Sequence, residues 1–130
     1  MFSSTRFALL AVIVWLAPTP LFAGFRTGGD LAHDCKIYLK WADSRTLPPQ
    51  DAVDGTQCLE YIKGATDAFI YANDRNWVTP PDSMCVPQGF QGTQAVLIVL
   101  KYLDNHPENL HFEASGLVWT ALHSAFPCSR

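Results

Sequence analysis

A chain of 130 residues with 48% hydrophobic and 16% charged side chains can bury one modest core and has no room for a second domain. Nine Lys and Arg face twelve Asp and Glu, a net charge of −3, so the basic patch that nucleic acid demands is missing. The charges are scattered, which excludes a polyelectrolyte tail.

In chain order, the first feature is a targeting segment. Arg6 precedes an apolar run over residues 7–16, which ends before Pro18 and Pro20, and the small residues Ala23 and Gly24 follow. This is the pattern of a secretory signal peptide spanning residues 1–23, cut between Ala23 and Gly24. Leu21 is bulky for its place before the cut, so the site can shift by a residue or two. The run is only half the ~20 residues that a spanning helix needs, which predicts no stable membrane insertion. With no cysteine beside the cut, a lipoprotein anchor is excluded. The mature domain, residues 24–130, is therefore expected in the periplasm or another oxidising space. There the even set Cys35, Cys58, Cys85 and Cys128 reads as two disulfides with three conceivable pairings. Their wide spacing lacks the close pairs of a zinc site, and the reading assigns neither metal nor cofactor.

The first helix is expected from Asp30, as a cap, to about Ser44, with Leu31, Cys35, Tyr38 and Ala42 on one face. Pro48 and Pro49 predict an extended connection, and Asp54 with Gln57 resembles a capping box opening a second helix. That helix places Cys58, Ile62, Ala65, Phe69 and Ala72 on one face. A second stripe, Tyr61, Ala65 and Ala68 beside Gly64, is small enough for another helix to approach. Residues 73–89 turn polar and rich in proline, with Trp77 in the middle, and predict the longest loop. A third helix over about residues 92–105 is apolar enough to be buried round most of its circumference. After Pro107, a last helix from about Phe112 presents Ala114, Leu117, Val118, Ala121, Leu122 and Ala125 before Pro127. The fold class is all-α, a small four-helix domain. The short link predicts an antiparallel hairpin of the last two helices, which sets Cys85 beside Cys128 and leaves Cys35 for Cys58.

Certain segments carry a resemblance. They are C-x-x-Y-I-x-G-x-x-D-A from Cys58 to Ala68, Cys85-Val86-Pro87, Lys101-Tyr102-Leu103 with His106-Pro107-Glu108, and Ala121-Leu122 with Ala125-Phe126-Pro127-Cys128. In order and spacing, over about residues 30–128, the chain resembles the Rap and Tai immunity proteins of type VI secretion. The resemblance implies a periplasmic helical inhibitor, with no chemistry of its own, that blocks the cleft of a cognate peptidoglycan amidase effector. It also implies that a homodimer is one form the inhibitor can take. Two departures stand out: Gln91 where the family has a hydroxyl residue capping the third helix, and a longer loop over residues 73–84.

Residues for chemistry are few. His33, Asp34 and Cys35 are neighbours on a helix, where successive side chains point about 100° apart, and a disulfide would deprive Cys35 of its thiolate. Catalysis is not expected. His106, His111 and His123 lack ligand spacing and read as surface or capping residues. Gly64 and Asp67 have two readings, a carboxylate bracing a neighbouring helix or a partner contact. Trp77, with Arg75 in the same polar loop, is the candidate for partner binding, since interface energy concentrates in Trp, Tyr and Arg; its alternative is a ring folded back onto the core. The turn bearing His106 and Glu108 is the second candidate. Two other functions fit a small exported helical domain: a stress chaperone of the acid-resistance kind, and an envelope protein of unassigned role. The first typically depends on charge-rich, partly disordered ends, which this chain lacks.

Overall fold

The computed structural model describes residues 26–44, 46 and 48–128. Four helices fold together: α1 (Gly28–Ser44), α2 (Pro49–Asp74), α3 (Gly92–Asn105) and α4 (Ala114–Ala125), with a 3-10 turn at Pro107–Asn109 between the last two. No strand occurs among the described residues, where two isolated β-bridges stand alone. The expected signal peptide, residues 1–23, lies outside the described residues. Among those described, no helix is long and apolar enough to cross a membrane.

α1 begins two residues before Asp30, because Thr27 is its cap. The Thr27 hydroxyl accepts from the Asp30 amide at 3.2 Å, and the Asp30 carboxylate accepts from the Thr27 amide at 3.0 Å and hydroxyl at 2.7 Å. Asp30 is thus the third residue of a reciprocal box rather than the cap itself. These bonds, the side-chain one foremost, hold its carboxyl below the usual carboxylate range. The next free amides are met from outside the helix: Gly28 donates to Phe112 O and Gly29 to Leu110 O, both at 2.9 Å. Gly28 is buried, and a side chain there would collide with Leu117 of α4. The start of α1 therefore sits on the α3–α4 connection. Leu31, Cys35 and Tyr38 are buried as the spacing predicts, whereas Ala42 is exposed in the last turn.

α2 opens at Pro49, well before the expected Asp54. Proline's fixed φ and missing amide hydrogen suit a first helical position, so the pair Pro48-Pro49 starts the helix instead of delaying it. Asp54 and Gln57 lie inside the helix. Asp54 accepts from Gln50 Nε2 at 2.9 Å, and Gln57 accepts from Arg26 at 3.3 Å. The close approach between α1 and α2 falls at Gly55, where an added Cβ would lie 3.2 Å from Tyr38 Cα. Gly64, which the sequence suggested for that role, is exposed with nothing within 4 Å of such a Cβ. Asp67 is exposed too, so the helix-bracing reading of that pair is overturned.

The two helices share one register: Gly55 meets Tyr38, and Cys58 is bonded to Cys35 with 5.0 Å between their Cα atoms. Continued along α2, that register places Gly28 opposite Ala65. Residues 66–74 then run past the end of α1 by about 13 Å.

α3 contributes Ala95, Val96, Val99, Leu100 and Leu103 to the core, and α4 contributes Ala114, Leu117, Val118, Ala121 and Leu122. α3 is less enclosed than its composition suggests, since Leu97 is half exposed. In place of a hydroxyl at the start of α3, Gln94 accepts from the Gln91 amide at 2.9 Å. Tyr38 and Thr93 hydroxyls at 3.0 Å and the Lys36–Asp104 ion pair at 2.8 Å tie α1 to α3. The antiparallel hairpin closes on the second disulfide, Cys85–Cys128. Both pairings are those the helix order predicts.

Candidate functional site

The overhanging end of α2 and the loop after it form the most distinctive surface. The helix is stopped by a reversal: Arg75 N donates to Tyr71 O, Asn76 N to Asn73 O and Trp77 N to Ala72 O. Asn76 takes φ 56, a left-handed conformation that Asn tolerates better than most residues. The reversal turns Trp77 outward, and the side chain is 71% exposed. Its ring stands edge-on to Tyr71 at 5.5 Å, while the Arg75 guanidinium lies 5.1 Å from the same Tyr71 centroid. Of its two sequence readings, Trp77 as core is therefore excluded. Tyr71, half exposed, supports both candidate binding residues and was not singled out beforehand. Its signal was present as an aromatic four residues before an arginine at a helix end.

The loop is held from beneath. Met84 is buried, its carbonyl accepts from Asn73 Nδ2, and it bridges to Pro127. Cys85 N donates to Phe126 O at 2.8 Å, a ring nitrogen of His123 lies 2.7 Å from Pro81 O, and Phe90 packs edge-on to Phe126 at 5.0 Å. This fastening was invisible in composition, since a lone methionine between prolines gives no period. Two cavities flank the loop, one of about 410 Å³ lined by Asn73, Asp74, Val78 and Ser83, the other of about 360 Å³ lined by Asp67, Pro87 and Phe90. Ile70 and Val86 line both.

The second candidate region lies elsewhere. His106 and Glu108 follow the far end of α3, about 20 Å along that helix from its start beside the loop. His106 is turned inward: its ring stacks on Tyr102 at 4.2 Å and its Nδ1 lies 2.8 Å from Tyr102 O. Glu108 is exposed. The fold thus brings Arg75 and Trp77 together and keeps His106 and Glu108 apart from them.

His33 and Asp34 do meet, with Nδ1 and Oδ1 3.0 Å apart, because the exposed imidazole swings across the helix surface. Asp34 is also paired with Arg26, whose guanidinium lies 5.8 Å from the Tyr61 ring centroid. The cluster fastens the residue before the Thr27 cap to α1 and α2. Cys35 beside it is in the buried disulfide and has no thiol to react.

A family model for Rap1a immunity proteins matches residues 27–128, from the Thr27 cap to the last cysteine. The chain belongs to that family. No curated protein and no solved structure matches it. As a Rap1a immunity protein it has an effector protein as the implied partner, which directs attention to surfaces that can dock on a protein. Trp77, Tyr71 and Arg75 are the residue types in which such surfaces concentrate their energy, and here all three are exposed. Mutual packing limits the side-chain freedom left to lose on binding.

Proposed function

We propose that this chain is exported to the periplasm, loses residues 1–23, and neutralises a type VI secretion effector that cleaves peptidoglycan as an amidase. Neutralisation is by occupancy. The Trp77 loop enters the effector's cleft, Arg75 pairs with a carboxylate at its edge, and the turn with His106 and Glu108 makes a second, outlying contact. No bond is made or broken by the immunity protein itself.

The observation that carries this reading is the Trp77 side chain, exposed on a loop that is fastened on its inner side by Met84 and Cys85, in a chain of an immunity family. Apart from its edge-on pair with Tyr71, this large aromatic group is held out in water, where a partner protein can bury it.

The test uses candidate peptidoglycan amidase effectors, each directed to the periplasm of a sensitive host with and without the full-length chain. Growth should be restored only when the chain keeps its signal segment. Purified amidase acting on peptidoglycan should be inhibited in a titration that ends at equal amounts of the two proteins. Continued cell-wall cleavage in the presence of excess oxidised protein would refute the reading.

A further inference from the structure

The two cavities beside the loop form one trough, because Ile70 of α2 and Val86 of the loop line both and make a saddle between them. Along α2, Asp67 and Asp74 are two turns apart on one face, roughly 10 Å along the axis, with Ile70 between them. Each carboxylate lines one of the cavities, and neither has an ion-pair partner among the described residues. Lys63 lines the second cavity too, one turn before Asp67, and its ammonium is matched with Glu60 at 3.2 Å. The wall thus reads acid, apolar, acid. Ser83 adds an independent feature in the first cavity: it is 5% exposed, and its hydroxyl has no hydrogen-bond partner among the described residues. A buried hydroxyl left so is costly, and an acceptor entering the trough would relieve it.

We propose that the trough binds an extended segment of the partner protein in which an apolar side chain is flanked by two basic ones. This deepens the effector-binding reading and rests on it. In an extended chain, residues two apart point to the same side, so a base–apolar–base pattern at alternate positions spans about 13 Å. Flexible lysine or arginine stems cover the remaining mismatch with the two carboxylates. The apolar side chain seats on the Ile70–Val86 saddle, and a backbone carbonyl of the guest accepts from Ser83.

The experiment uses the oxidised mature protein, isotopically labelled, and a blocked seven-residue peptide with lysine at positions two and six and leucine at position four. The control peptide has glutamate in place of lysine. Amide shifts at Ile70, Ser83 and Val86 should appear with the lysine peptide, at an affinity on the order of tenfold above the control. D67N with D74N should abolish that preference, and S83A should weaken binding about threefold while leaving thermal unfolding unchanged or slightly raised. Equal binding of the two peptides, or shifts confined to other surfaces, overturns the proposal. Because no effector enters the assay, the two readings fail separately. A trough that ignores the peptides in a protein that still neutralises its amidase loses the trough alone. Peptides seated in the trough of a protein that neutralises nothing lose the amidase reading.

Discussion

The two disulfides staple two different kinds of structure. Cys35–Cys58 lies wholly inside the α1–α2 packing, where Gly55 and Tyr38 bring the backbones into contact, and both its residues are fully buried. Cys85–Cys128 ties an irregular loop to the end of α4, and Cys85 is exposed. In the chain-entropy model the bridges are nearly equal, about 3 to 4 kcal/mol each, the longer loop gaining slightly more. What separates them is packing. One fills the core that defines the fold, and the other fastens the surface proposed to carry function.

The largest effect should come from the first bridge. Replacing Cys35 and Cys58 together by Ala removes the constraint and leaves a hole among Leu31, Tyr38 and Ile62, for a combined cost on the order of 5 kcal/mol. For a domain of this size that is a large part of total stability. Guanidinium unfolding followed by circular dichroism should find the variant largely unfolded at 37 °C. A loss no greater than that of the second bridge would show that packing does not distinguish the two regions.

Replacing Cys85 and Cys128 by Ala should cost about 4 kcal/mol and spare the helical signal, since Met84, Phe90 and the Cys85 amide still hold the loop. Partial reduction offers a sharper comparison. Thiol exchange requires access to sulfur, so mild reductant should open Cys85–Cys128 first. Alkylation and peptide mapping under native conditions would reveal the order, and labelled Cys35 or Cys58 at early times would contradict it.

Trp77 tests the functional half of the comparison. W77A should cost no more than about 1 kcal/mol of stability, because the ring is 71% exposed and its loss removes the edge-on pair with Tyr71. Binding to the cognate effector should weaken by about 2 kcal/mol or more, roughly thirtyfold, as measured by calorimetry on the oxidised proteins. If affinity is unaffected in the folded variant, the loop is not the anchor, and the turn with His106 and Glu108 becomes the surface to test.

The buried half was the more legible in sequence. Leu31, Cys35 and Tyr38, then Cys58 and Ile62, show helical spacing, and the short α3–α4 link was enough to select the pairing of cysteines. Helix starts were less legible, because Thr27 and Pro49 act through a single cap or a single φ, which periodicity does not register. Gly64 misled because a glycine on a helix signals close approach without saying which glycine is approached; only the register through Cys35–Cys58 singles out Gly55. In the loop, Trp77 was visible by type, but Tyr71 and Met84 were not. Their roles depend on a chain reversal at Asn76 and a bridge to Pro127 that no local pattern announces.

The smallest effect belongs to the buried half and concerns its first turn. T27A removes the hydroxyl that caps α1 and should cost about 1 kcal/mol at neutral pH, by thermal or denaturant unfolding. The variant should also change the response to acid. Thr27 holds the Asp30 carboxyl below its ordinary value in the folded protein, so the unfolded chain binds protons more readily. The stabilisation is complete above the unfolded value, near pH 4, and is lost as pH falls through the lower folded value. Since T27A retains the backbone bond and loses the stronger side-chain one, its deficit relative to wild type should be largest above about pH 4 and shrink below it. Other carboxylates are common to both proteins and cancel in the difference. A deficit that stays constant from pH 6 to pH 2 would mean that the Thr27 hydroxyl caps the helix without acting through Asp30.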